Sequence, residues 1–225
     1  MKQNKNSLEI EEVIIEGYGC QVPVLKLTPP ESRGSVVVAH NYGGSKEEML
    51  GLAFRIAKTG FTTGVIDLRG HGENSCKMDG KILSDLETAI TYFKQFGKVT
   101  AVGHSLGGRL SLISDADYAI GISPALAKTF GPKTQGMIRV LRDYRVNGSV
   151  TDLFTTLGKI PLIEFDPENV LIIRGSRDVP EIIAECDKLT SAGYEVVEID
   201  DALHVDIYTL EPTFEAVTKK LQKWY

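Results

Sequence analysis

The sequence predicts an α/β fold: a mainly parallel sheet covered by helices on both faces. Two patterns and the size of the chain carry that expectation. Short apolar runs, the length of buried strands, alternate with amphipathic stretches at helical spacing from Ser35 onward. A β-hairpin signature precedes the alternation. The chain has 225 residues, 42% of them hydrophobic and 24% charged, enough for one domain with a substantial core.

The elements follow in order. Met1 to Asn6 is polar and leads into no apolar signal-peptide core. Two β-rich runs, Ile10 to Glu16 and Cys20 to Leu27, flank Gly17-Tyr18-Gly19 and read as a hairpin that Pro29 and Pro30 end. Buried strands are expected at Ser35 to His40, Phe61 to Asp67, Val99 to Gly103, Tyr118 to Ile122, Val170 to Gly175 and Tyr194 to Ile199. Ser45 and Glu48 are spaced as a capping box ahead of Met49, Leu52, Ala53 and Ile56, and Gly60 stops that helix. Leu86, Ile90, Phe93 and Phe96 mark a second helical face before Gly97. Phe214, Val217, Leu221 and Trp224 mark the last, which Pro212 opens. Aromatics at this spacing read as core.

One interval breaks the alternation. Residues 124–168 separate neighbouring strands where one helix and two turns would suffice. They mix Phe130, Met137, Ile138, Val140, Leu141, Phe154 and Leu157 with charges. The interval is either an enlarged helical connection or a small lid within the 1–225 domain. It leaves the carboxyl end of the Tyr118 to Ile122 strand, so a lid is the favoured reading, with Met137 and Leu141 lining a substrate pocket.

Composition narrows the function. Net charge is −5 and no cluster of five Lys/Arg residues occurs, which argues against a nucleic-acid partner. No apolar run approaches the roughly 20 residues of a membrane span. Cys20, Cys76 and Cys186 are odd in number, widely spaced and free of a C-x-x-C pair, so reduced thiols and a cytoplasmic setting are expected, without a metal site. Nothing in the sequence sets the oligomeric state.

The chemistry resides in Gly103-His104-Ser105-Leu106-Gly107, a G-x-S-x-G between the apolar strand Val99 to Val102 and the helical run Arg109 to Ile113. A serine on such a strand-to-helix turn needs small residues on either side, and its hydroxyl projects past the strand end. The new helix aims backbone N–H groups at developing negative charge. The competing reading is a glycine-rich turn with an incidental serine. A serine nucleophile needs a base. Of four histidines, His204 follows the final strand and precedes the final helix, where it can reach back to Ser105; His104 should point away, and His40 and His71 lie in glycine-rich turns. The base needs an acceptor for its other ring nitrogen. Asp178 follows the strand starting at Val170 and completes the order Ser, Asp, His on strand ends; it could instead cap the helix at Pro180. Asp200, Asp201 and Asp206 are the alternatives, and no carboxylate directly follows Ile122.

These residues resemble the α/β-hydrolase superfamily, in its serine aminopeptidase/monoacylglycerol lipase-like branch. The blocks that carry the resemblance are Val36 to Ser45, Asp67 to Ser75 and the turn around Ser105. It implies a mostly parallel sheet of about eight strands, and an oxyanion hole formed by the backbone N–H groups of Tyr42 and Leu106. The branch usually has glycine where this chain has Asn41, which leaves open whether Asn41 or Tyr42 donates; asparagine tolerates a left-handed backbone. The Asp67 to Ser75 block reads as a structural turn. The implied activity is hydrolysis of a small-molecule carboxylic ester through an acyl-enzyme on Ser105, with no metal or organic cofactor. Thioesterase, amidase or acyltransferase chemistry would use the same residues, and a non-catalytic binding protein would retain only the fold.

Overall fold

The computed structural model of the protein describes residues 7–225; the polar stretch Met1 to Asn6 lies outside the described residues. The hairpin is β1 (Glu9–Glu16) against β2 (Gln21–Thr28). Six parallel strands follow: β3 (Ser35–Ala39), β4 (Thr62–Ile66), β5 (Val99–His104), β6 (Tyr118–Ile122), β7 (Val170–Arg177) and β8 (Val196–Leu203). Among the described residues they form one eight-stranded sheet in the order β1-β2-β4-β3-β5-β6-β7-β8, with β2 antiparallel to β4. All six parallel strands therefore end on one edge. Strand order reverses between β3 and β5, and a crevice opens outside strand ends at such a switch point.

Side-chain alternation divides the core. Val37, Ala39, Ala119 and Ile172 face one layer with α2 (Ile82–Phe93) and α6 (Pro180–Ser191). Val36, Val38, Ile120 and Ile173 face the other, with α1 (Leu50–Lys58) and α7 (Glu211–Trp224). The expected faces are those buried: Leu52, Ala53 and Ile56 on α1, and Val217 and Leu221 on α7. The expected capping box does not form. Ser45 makes no side-chain cap; its hydroxyl donates to Glu47, and Glu48 pairs with Arg145 instead. A tight 3₁₀ turn at Lys46–Met49 takes the place of the first α-helical turn.

The interval 124–168 holds α4 (Pro132–Leu141) and α5 (Val150–Lys159), joined by a 3₁₀ turn at Asp143–Arg145. Both ends of it are held by Arg109 of the short helix α3 (Leu106–Ser111). This fully buried guanidinium donates to the carbonyls of Ala125, Ile160 and Pro161 at 2.9, 3.0 and 2.5 Å. Among the described residues it makes no salt bridge, and burial lowers its pKa to about 10 against the opposing charge of Glu185.

The cysteine expectation is corrected. Cys20 and Cys76 form a disulfide, with Cα atoms 6.1 Å apart, and only Cys186 is free, in the core. Their sequence separation of 56 hid the pairing. Only the antiparallel return of β2 along β4 brings the hairpin turn beside the loop after β4. The cysteine argument for a reducing compartment falls with it. Among the described residues no helix is long and apolar enough to cross a membrane.

Candidate active site

Ser105 occupies the turn from β5 into α3 with φ 54° and ψ −109°, a region that residues with a Cβ rarely adopt. The turn closes because its neighbours are glycines. A Cβ on Gly103 would lie 2.2 Å from the carbonyl carbon of Gly107, and one on Gly107 would lie 2.3 Å from the Ala39 carbonyl oxygen. The G-x-S-x-G spacing is thus a steric requirement.

Three predicted residues come together across strand ends. Ser105 Oγ lies 3.0 Å from His204 Nε2, and His204 Nδ1 lies 2.8 Å from Asp178 Oδ1. The second oxygen of Asp178 accepts from the Ser123 hydroxyl and from the Gly175 N–H, and Oδ1 also accepts from the Val179 N–H at 2.7 Å. Burial pushes the Asp178 carboxyl up, but the hydrogen bonds, led by that from His204, outweigh it and hold the group below its ordinary range. The alternative acids are engaged elsewhere. Asp200 accepts from the Asp201 N–H, Asp201 pairs with Arg177, and Asp206 accepts from the Leu203 N–H. Sequence reasoning missed Ser123, which stands directly after Ile122, where a carboxylate was sought and not found.

His104 makes no hydrogen bond to Ser105; its Nε2 lies 2.8 Å from the His204 carbonyl oxygen and its ring stacks on Tyr208. Burial holds its pKa well below the ordinary histidine value; the carbonyl can only accept, so Nε2–H donates to it and braces the loop that carries His204. His40 and His71 are buried behind the turn after β3, their ring centroids 4.9 Å apart.

In that turn the left-handed residue is Gly43 (φ 68°), not Asn41. The Asn41 side chain instead fills the space over Gly44, where an added Cβ would meet its Oδ1 at 2.1 Å. Among the described residues, neither Tyr42 nor Leu106 gives its backbone N–H to a protein acceptor. The Tyr42 phenol donates to Asp143 at 2.5 Å; burial and that carboxylate raise its pKa far above the usual range.

A cavity of about 80 Å³ opens beside Ser105 and His204. Ala125, Phe130, Leu153, Leu157 and Ile182 are its buried lining, whereas Met137 and Leu141, 47% and 53% exposed, form part of its rim. Among the described residues no group of three or more His, Cys, Asp or Glu is placed to hold a metal ion.

Residues 30–144, just over half the chain, match the family model for serine aminopeptidase, S33. The chain belongs to that family. The S33 match takes in the Tyr42 turn and Ser105 but ends before Asp178 and His204. Among curated proteins none matches in sequence. Several solved structures share the fold. Est1E from Butyrivibrio proteoclasticus with bound ferulic acid is 19% identical, TM-score 0.73, over 94% of this chain and 98% of that one. An esterase from Thermogutta terrifontis is 14% identical, TM-score 0.70, over 95% and 98%. The Pyrobaculum calidifontis esterase is 21% identical, TM-score 0.66, over 96% and 85%. This S33 member therefore has the α/β-hydrolase fold.

Proposed function

We propose that the protein is a serine hydrolase that cleaves a small carboxylic ester through an acyl-enzyme. The observation that carries this reading is the unbroken chain from Ser105 Oγ through His204 to Asp178, set at a left-handed serine. Ser105 attacks the carbonyl carbon as His204 Nε2 takes its proton, and Asp178 holds Nδ1–H so that the imidazolium forms in place. The N–H groups of Tyr42 and Leu106 receive the developing oxyanion. His204 returns the proton to the leaving alcohol. Water, deprotonated by His204, then releases the acid and restores Ser105.

Two features support an ester over the free N-terminus of a peptide. An aminopeptidase needs an anionic group to hold the substrate ammonium, and no Asp or Glu stands among the cavity-lining residues. Two of the similar folds above, from Pyrobaculum calidifontis and Thermogutta terrifontis, are esterases. Thioester or amide cleavage would use the same residues.

A fluorophosphonate probe, together with hydrolysis of p-nitrophenyl acetate, tests the reading. Ser105 is expected to carry the label, and Ser105→Ala to lose roughly 10⁴- to 10⁶-fold in kcat while remaining folded. Activity above a tenth of the parent in that variant would overturn it.

A further inference from the structure

The proposed ester chemistry leaves one charge in the cavity unused. Arg142 is the only Lys, Arg, Asp or Glu among the lining residues. It follows α4 and packs against Gly43, where an added Cβ would come 2.9 Å from Arg142 Cβ and 3.2 Å from its Cδ. Glycine at 43 thus admits the arginine stem to the turn that presents the Tyr42 N–H.

The guanidinium is half-buried and donates no hydrogen bond among the described residues. Glu48 is its nearest ion-pair partner, at 3.9 Å, and that carboxylate is already paired with Arg145 at 2.8 Å. One negative charge is divided between two arginines. A planar guanidinium presents N–H donors in a fork that matches the two oxygens of a carboxylate. A guanidinium held at an apolar rim by that one long, shared contact gains free energy from an anionic ligand that takes up its donors.

We propose that Arg142 receives a carboxylate of the substrate, so that the preferred ester carries negative charge on its leaving alcohol. This inference rests on the ester hydrolysis at Ser105 proposed above. The two ends of the cavity set which part carries the charge. Phe130, Leu153, Leu157 and Ile182 make a buried apolar end suited to a neutral acyl group. Arg142 belongs with the open rim of Met137 and Leu141, where the alcohol leaves toward solvent.

The test compares 3-acetoxybenzoate with 3-acetoxybenzamide, acetyl esters of closely similar shape that differ in charge. The ratio of their kcat/KM values is expected to be at least about ten in favour of the benzoate. Arg142→Gln should lower that ratio about ten-fold or more. Arg142→Lys, which keeps the charge without the fork, should lower it less. Glu48→Gln removes the competing carboxylate and should raise it. Fluorophosphonate labelling of Ser105 in each variant shows that the site is still folded. A third ester, 3-acetoxyphenyl phosphate, separates carboxylate from phosphate. The inference is overturned by a parent ratio near one, by a ratio that Arg142→Gln leaves unchanged, or by preference for the phosphate. If neither acetyl ester is cleaved, the ester reading falls and takes this one with it. If both are cleaved alike through Ser105, only the role of Arg142 falls.

Discussion

The Ser123 hydroxyl donates to Oδ2 of Asp178 while His204 uses Oδ1. Ser123 reaches that carboxylate because it turns sharply out of β6, with φ 42°, one strand over from β7. Asp178 is thereby fixed from both sides. Asp178→Asn is expected to lower kcat by roughly 10³- to 10⁴-fold, since an amide can hold the wrong tautomer of His204. Ser123→Ala removes one hydrogen bond to a charged group, about 1.5–3 kcal/mol in general, only part of which reaches the transition state. A loss near ten-fold is expected from it. Steady-state kinetics on p-nitrophenyl acetate decide. A severe Asp200→Asn or Asp206→Asn beside a mild Asp178→Asn would reassign the acid.

How much of this was legible in the sequence depended on the range of the forces involved. Strands buried on both faces announce themselves as local apolar runs, and β6 was placed to the residue. The turn around Ser105 was legible because sterics within five residues dictate its glycines. What escaped notice was set by long-range packing. Cys20 meets Cys76 only through sheet order, and Ser123 meets Asp178 across 55 positions. Glu48 had the spacing of a capping residue but was drawn to Arg145, nearly a hundred residues on. Asn41 stands where the branch usually has glycine and was noted as tolerating a left-handed backbone; Gly43, two residues later, takes that conformation.

Arg109 is expected to hold the 124–168 interval in place. Arg109→Met retains its length but orphans the carbonyls of Ala125, Ile160 and Pro161. The buried Ala125 carbonyl costs about 1–3 kcal/mol when orphaned, the part-exposed carbonyls of Ile160 and Pro161 cost less, and Tm moves by about 2–4 °C per kcal/mol at this size. Thermal unfolding should show a fall on the order of 5–15 °C, with faster hydrogen exchange across residues 124–160. An unchanged Tm would mean that water takes over those carbonyls.

Stability should fall below neutral pH through His40 and His71. Burial is the main cause in both: it lowers His40 to about 4 and His71 to about 3, the neighbouring His40 adding to the effect on His71. Among charged groups, Glu47 and Lys46 act with opposite sign on His40, and Asp67 opposes the effect of burial on His71. The unfolded chain protonates these rings near pH 6.5 and the folded one does not, so their contribution is complete above about 6.5 and drains away as pH drops toward 4. Between pH 7 and 5 each should cost roughly 1–2 kcal/mol. Urea midpoints measured at those two pH values should differ accordingly, and His71→Asn should flatten the dependence. A midpoint constant from pH 7 to 5 would contradict this account.

The size of the cavity leads to a prediction on acyl length. An apolar cavity of about 150 Å³ holds benzene. The cavity beside Ser105 measures about 80 Å³, so acyl chains of a few carbons should fit and longer ones should not. Among p-nitrophenyl esters, kcat/KM is expected to peak at short chains and then to decline. Leu153, which is buried and lines the cavity, is the stronger lever. Leu153→Ala opens room for further methylenes, each contributing about 0.8 kcal/mol when buried, which is about a four-fold gain per carbon. The optimum should therefore move to longer chains in that variant. Met137→Asp and Leu141→Asp act at the half-exposed rim and should impair longer esters more than acetate, by a few-fold at most. Circular dichroism separates these effects from unfolding. Loss equal at every chain length in all three variants would show that the 124–168 segment supports the fold without shaping the acyl site.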